Sequence, residues 1–373
     1  NMRILMLGAK EYPFGVSARY DKKAGGGIEV HVEKLSKYLA KKGHDVFIIT
    51  RRFPGQKSEE HRGKIHVYRV SFLYNRYLRT LSFNFLSLFK ALLILKKYKI
   101  HIIHSHGMVA SFFASLLSMI TRTPMVMTPH GTIDEWGVFK IPLKFFEMVS
   151  LKTAKKVIFI SRFAMKRLTL GRRFSYTLLS NAIDPEDFQE IPKRKHKRIT
   201  FGFIGRLEKI KGIIPLLSAF KKLPEDKCEL YIAGEGTLKQ EVLKAAETSK
   251  NIKFLGWMKP GEFFSLIDVF VLPSEERGQP LSLLEAMASG RIIITSLGFI
   301  KDGETGILTR PDERDVYRKM LYVLKNFRKL QHLGENAKKE SKGFSWEEEV
   351  KKFIKEYSSV SKQSQSSKIC TFI

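Results

Sequence analysis

Cysteine is nearly missing from this chain. Cys228 and Cys370 are the only two in 373 residues, which excludes a disulfide framework and provides no zinc-ligand cluster. Acid is the second shortage, since 37 Asp and Glu face 66 Lys and Arg and leave a net charge of +29. Such an excess points to an anionic partner or surface: nucleic acid, phospholipid headgroups or a phosphorylated substrate. Long apolar runs are the third. The longest, 83–95 and 108–120, fall short of the roughly 20 residues that cross a bilayer. The opening run 3–8 is too short for a secretory signal and is followed by charged residues, so it reads as a first buried strand. The expectation is a cytoplasmic protein, soluble or peripheral on the inner face of the membrane.

What is present is alternation of strand and helix over a length that suits two domains rather than one core. The densest stretch is 273–294, PSEERGQPLSLLEAMASGRIII. Val269, Phe270, Val271 and Leu272 before it read as a buried parallel strand. Two carboxylates, an arginine and a glycine then fall at that strand's carboxyl end, where open α/β sheets hold ligands. Pro280 suits a helix start, Leu281, Leu284 and Ala288 share a face, and Gly290 stands at the C-terminal cap. Glu285 lies mid-helix among apolar neighbours. A carboxylate there either caps a neighbouring helix or accepts from a ligand hydroxyl.

Upstream, Gly25, Gly26 and Gly27 open a helix marked by Ile28, Val32, Leu35 and Leu39. A glycine run in that place can bring bare amides and a positive helix end against a phosphate. Segment 69–101 carries seven Lys or Arg and no acid, and 137–175 carries ten against Glu147 alone, both interleaved with aromatics. Packed helices with solvated basic edges would look like this, and so would a surface that meets anionic lipid. Between them, strands 100–103 and 125–127 end in His104-Ser105-His106-Gly107 and Thr128-Pro129-His130-Gly131. Further on, strand 199–204 ends in GRLEKIKG, residues 205–212. Two cations and two glycines at a strand-to-helix junction are what a diphosphate needs.

LLEAMASG at 283–290, GRL-x-x-x-KG at 205–212, the glycine loop and the Ser180-Asn181-Ala182-Ile183-Asp184 turn together resemble the retaining nucleotide-sugar glycosyltransferases of the GT-B architecture, family 4 type. The resemblance covers residues 2–357 and implies two facing Rossmann-like α/β domains with the active site in the cleft between them. It assigns Arg206 and Lys211 to the donor pyrophosphate, His130 to the donor sugar, and donor contacts to Gly26, Gly27, Gly205, Leu281 and Glu285. That family carries a second glutamate separated by seven intervening residues from the counterpart of Glu285. Position 277 is arginine in this chain, so Glu276, one step out of register, is the candidate for that role. His104 and His106 are expected to be supporting residues.

The expected domains are 1–191 (acceptor and membrane side) and 192–357 (donor side), with the basic run 193–198 as linker and a loose tail at 358–373. No Asp-x-Asp occurs in the chain, so no metal ligands and no cofactor are expected. The expected co-substrate is a UDP- or GDP-sugar. The expected partners are a hydroxyl acceptor, lipid-linked or membrane-proximal, and an anionic membrane surface rather than nucleic acid. Two other readings remain open. A sugar-nucleotide epimerase or phosphorylase of the same architecture would need its own acid and base or a cofactor lysine. A nucleic-acid-binding protein would use the charge alone and bind with a steep salt dependence.

Overall fold

The computed structural model describes residues 1–13, 26–75, 78–130, 140–188, 198–275 and 279–369. They divide into two compact units, Asn1–Ser180 with Trp346–Ile373, and Asn181–Ser345.

The first unit is built on β1 (Arg3–Leu7), β2 (Asp45–Arg51), β3 (Glu59–Arg62), β4 (Ile65–Val70), β5 (Ile102–His106), β6 (Met125–Thr128), β7 (Lys156–Phe159) and β8 (Tyr176–Leu178). They lie in the order β3-β4-β2-β1-β5-β6-β7-β8. Only β3, against β4, runs antiparallel. The connecting helices are α1 (Gly27–Lys41), α2 (Arg79–Lys97), α3 (Met108–Thr121), α4 (Lys140–Thr153) and α5 (Arg162–Thr169). Leu5, Phe47, Ile103, Met125 and Val157 form one buried layer with Ala91, Ala114, Leu117 and Leu151 of α2, α3 and α4. Because the chain runs from β1 outward to β2 on one side and later to β5 on the other, the carboxyl ends of β1 and β5 flank a topological switch point.

The second unit has β9 (Ile199–Ile204), α6 (Ile213–Phe220), β10 (Cys228–Ala233), α7 (Lys239–Thr248), β11 (Ile252–Gly256), α8 (Pro260–Ser265), β12 (Val269–Leu272), α9 (Leu281–Ala288), β13 (Ile292–Thr295), β14 (Ile307–Leu308), α10 (Glu313–Asn326) and α11 (Gln331–Ser341). Its strand order is β11-β10-β9-β12-β13-β14, parallel throughout. The switch point here falls between β9 and β12, which carry the two densest sequence motifs at their carboxyl ends.

Helix α12 (Trp346–Ile369) belongs to the first unit. The second unit therefore runs Asn181–Ser345 instead of the expected 192–357, and the break follows Ser180 rather than residue 191. Of the expected loose tail, 370–373 lie outside the described residues and 358–369 continue this helix. The reason is legible in its spacing: Trp346, Val350, Phe353, Tyr357 and Val360 recur every three or four residues and all are buried. The linker run 193–197 lies outside the described residues.

Candidate active site

In the second unit the loop after β9 is shaped by close backbone approach. Gly212 has φ +78, and a Cβ on it would stand 2.0 Å from the carbonyl oxygen of Pro273. A Cβ on Gly234, after β10, would stand 1.9 Å from the carbonyl oxygen of Gly205. The three strand exits are thus stitched at distances that only glycine permits. Hydrogen bonds complete the stitching. The Glu275 amide and Ser274 Oγ both donate to the Ile210 carbonyl, at 2.9 and 3.1 Å. Thr237 Oγ1 donates to Glu208 Oε2 at 2.7 Å. Residues Lys209–Lys211 form a single 3-10 turn, and Gly212 then caps α6. Lys211 is buried in that turn while Arg206 is exposed. The Arg206 guanidinium makes no hydrogen bond or ion pair among the described residues, whereas Glu208 is taken up by Thr237. This leaves Gly205, Arg206, Lys211 and the start of α6 together at the switch point.

Helix α9 starts one step later than expected, with Pro280 as its N-cap and Leu281 as its first residue. Its start is clamped by the 180–184 turn: the Asn181 amide donates to Gln279 Oε1 at 3.0 Å, and Asn181 Nδ2 donates to the Gln279 carbonyl at 2.6 Å. Leu283, Leu284, Ala286, Met287 and Ala288 are buried, and Leu281 and Glu285 are half-buried. The expected face of Leu281, Leu284 and Ala288 is therefore wider and shifted by the buried pair at 283 and 287. Gly290 takes φ +67 at the helix end, as its position suggests. Glu276, Arg277 and Gly278 lie outside the described residues.

In the first unit His130 lies at the exit of β6, whereas the expected exit at 104–106 is part of β5. His104 and His106 lie inside β5, because pairing with β6 continues through His106 opposite Thr128. Both rings reach the face covered by α1 and α12, as alternation along a strand requires. His104 Nε2 meets Thr128 Oγ1 at 2.8 Å, and His104 Nδ1 meets the Tyr357 hydroxyl at 2.7 Å. His106 Nδ1 lies 3.1 Å from His130 Nε2. His31 of α1 packs on them, its ring 5.7 Å from that of His106 and 5.1 Å from that of His130. Burial lowers the His31 pKa to about 4, and burial first, then neighbouring histidines, holds His104, His106 and His130 well below the ordinary range. The rings are therefore neutral at neutral pH.

Gly26 and Gly27 stand at the start of α1, and Gly25 lies outside the described residues. The amide of Gly26 already donates to Glu29 Oε2 at 2.7 Å, so it is not a spare donor for a phosphate. A Cβ on Gly27 would meet no atom within 4 Å. His31 was missed in the sequence although its spacing from Leu35 places it on the apolar side of α1, which was the available signal. The Asn181 clamp on Gln279 was equally unforeseen, because only the turn and not its partner is visible in one dimension.

The basic-aromatic segments split. Arg69 is buried and its guanidinium donates to the Tyr12 carbonyl and to Glu60, so it is structural. By contrast, Leu81, Phe85, Phe89 and Leu93 form an exposed stripe along α2, and Met119, Ile120, Phe145 and Met148 are exposed on α3 and α4 beside it. No helix among the described residues is long and apolar enough to cross a membrane.

Residues 25–187 match the family model for Glycosyltransferase Family 4, and residues 198–326 that for Glycosyl transferases group 1. One polypeptide of the human phosphatidylinositol N-acetylglucosaminyltransferase is 26% identical over 302 residues, covering 74% of this chain and 60% of the human protein. An uncharacterized glycosyltransferase of Methanocaldococcus jannaschii is 26% identical over 92% of this chain and 96% of its own length. The Escherichia coli UDP-Gal:alpha-D-GlcNAc-diphosphoundecaprenol alpha-1,3-galactosyltransferase is 26% identical over 57% of this chain and 60% of that protein. Among solved structures, a sucrose-phosphate synthase from Thermosynechococcus elongatus superposes with a TM-score of 0.81 at 18% identity, covering 96% of this chain and 99% of that one. Anabaena HepE, solved with UDP-glucose, superposes with a TM-score of 0.74 at 15% identity, covering 95% of this chain and all, 100%, of the other.

Proposed function

Since the chain belongs to the glycosyltransferases of the two-domain GT-B type, family 4 in its amino-terminal half, we propose that it moves a sugar from a UDP- or GDP-sugar to a hydroxyl acceptor with retention of configuration. The observation that carries this reading is the β9 exit loop, where Gly205, Arg206 and Lys211 meet the start of α6 at a parallel-sheet switch point. Arg206 and Lys211 meet the charge that grows on the departing diphosphate, together with the amides at the helix start. No Asp-x-Asp is available to clamp a cation there, so this charge is handled without one. Glu285 accepts from a ribose hydroxyl, with Leu281 beside the nucleotide, and His130 and Gly27 serve the transferring sugar and its phosphates. Glu276 is the candidate for the second carboxylate of the site.

Transfer is front-face. The acceptor oxygen bonds to the anomeric carbon on the side from which the phosphate leaves, and the leaving phosphate oxygen takes the acceptor proton. This needs no carboxylate beneath the anomeric carbon.

A lipid-linked acceptor is supported by the exposed apolar stripe of α2, by the net charge of +29 and by the diphosphoundecaprenol and phosphatidylinositol named for two relatives. The UDP-glucose bound to HepE and the UDP-Gal of the E. coli relative favour a UDP-sugar. The deciding experiment is a screen of UDP-, GDP- and ADP-sugars for protection against thermal unfolding. It is followed by release of the nucleoside diphosphate with and without polyprenyl-diphosphate and phosphatidylinositol acceptors. Protection by no sugar nucleotide would end this reading.

A further inference from the structure

Three histidines of the first unit come from separate elements, His31 from α1, His106 from the end of β5 and His130 from the loop after β6. One ring nitrogen from each lies within 4.8 Å of the other two. They are poorly satisfied where they stand. His31 and His106 are 2% and 1% exposed, and among the described residues both ring nitrogens of His31 and Nε2 of His106 have no hydrogen-bond partner. A buried polar atom left this way costs about 1–3 kcal/mol, and His31, with neither nitrogen partnered, calls for a counterpart.

Hydrogen bonding among the rings does not supply it, because the one contact made, His106 Nδ1 to His130 Nε2, leaves His31 out. That contact has a telling length. At 3.1 Å it is close to the edge of a tetrahedral site with Zn–N bonds of about 2.0–2.1 Å, which is about 3.3 Å. His31 offers one nitrogen within 4.8 Å of a nitrogen on each of the other two rings.

We propose that His31, His106 and His130 form a three-imidazole site for a late first-row divalent cation, zinc foremost. The donor set excludes the hard cations. Magnesium and calcium take oxygen ligands, whereas a set of imidazoles suits zinc and its neighbours. It is accordingly not a clamp for a departing diphosphate, and three protein ligands leave a fourth position open. His104, fixed by Thr128 and Tyr357, stands behind His106 with ring centroids 4.1 Å apart, while Trp346 and Phe353 wall the His31 side at 5.2 and 5.7 Å. Bound metal would tie α1, β5 and the β6 exit to one another.

The test uses the full chain without a polyhistidine tag, stripped with chelator, dialysed, and titrated with Zn2+ by calorimetry and with Co2+ by visible absorbance. The expected result is about one equivalent bound and Co2+ ligand-field bands of tetrahedral intensity. His31→Gln and His106→Gln should abolish both, and His332→Gln, on an exposed residue, should leave both intact. X-ray absorption on the unaltered zinc-loaded chain keeps the test decisive if the variants fail to fold, and it should find three imidazoles around the metal. No bound equivalent, fewer than three imidazoles, or undiminished binding in a folded His31→Gln variant each overturns the site and leaves a neutral histidine cluster. The readout is metal binding and not turnover, so its failure is separate from any failure of the sugar-transfer reading.

Discussion

Gly212→Ala is the sharpest probe of how the donor loop is built, because Gly290 in the same unit provides its control. Both glycines have left-handed φ, +78 and +67, but a Cβ on Gly212 meets the Pro273 carbonyl oxygen at 2.0 Å, whereas on Gly290 the nearest atom is the Lys338 Cδ at 3.5 Å. The left-handed conformation costs an alanine about 1–2 kcal/mol at either position. Only at 212 must backbone also move, and the segment that moves carries Ser274 and Glu275. Their bonds to the Ile210 carbonyl contribute about 0.5–1.5 kcal/mol each. Gly212→Ala should therefore cost about 2–5 kcal/mol and Gly290→Ala about 1–2 kcal/mol. For a unit of this size each kcal/mol lowers Tm by about 2–4 °C, giving drops of roughly 4–20 °C and 2–8 °C. Thermal unfolding followed by circular dichroism reads both. Equal drops, or a larger one for Gly290→Ala, would refute the claim that close approach of the β9 and β12 exits sets the loop.

Arg206→Ala and Lys211→Ala should each lower kcat/KM at least about 100-fold, the loss seen when one charge-stabilising donor is removed from a transition state; near-normal turnover in both would remove them from the diphosphate. The chain should sediment with anionic vesicles at low salt and less so at high salt. Phe85→Ser with Phe89→Ser should weaken that binding, and an unchanged bound fraction would assign the α2 stripe to another partner. Acid should unfold the second unit partly through Asp315, whose carboxyl is held below the usual range first by the Arg310 amide and then by the Thr309 hydroxyl. Since its folded pKa is the lower one, its stabilisation is present above the ordinary value of 3.8 and is lost as pH falls through the folded pKa. Asp315→Asn should lower Tm at pH 7 and flatten the acid limb below about pH 4, and a parallel limb in the variant would reject that role.

The second unit is far more legible in sequence than the first. Strands 199–204 and 269–272 have in the sequence the bounds that β9 and β12 have in the fold, because a parallel strand buried on both faces writes itself as an unbroken apolar run. Glycines and cations between strand and helix then locate the loop. The first unit hides its chemistry by the same logic. His104-Ser105-His106 looks like a polar strand exit, yet β5 is flanked by β1 and β6, and its ladder with β6 carries the strand through His106 into the interior. Polarity in sequence is not exposure here. The return of α12 is partly readable from its apolar spacing, but its membership in the first unit depends on contacts between residues far apart in the chain. Tyr357 and His104, 253 positions apart, are one such pair, and no local pattern encodes it.

The two switch points use one architecture for opposite chemistry. In the second unit the loop at the carboxyl end of β9 keeps Arg206 in solvent and uses glycines for close approach, so charge is available at the sheet's carboxyl edge. At the corresponding edge of the first unit, the side chains under α12 are imidazoles enclosed by Trp346, Phe353 and Tyr357. Burial deep enough to hold them neutral removes them from any role as cationic phosphate ligands. A basic protein with a net charge of +29 thus places uncharged rings where its abundant lysines and arginines could have supplied cations. Neutral imidazoles can act there as lone-pair donors or hydrogen-bond relays, two roles that a charged lysine or arginine cannot fill.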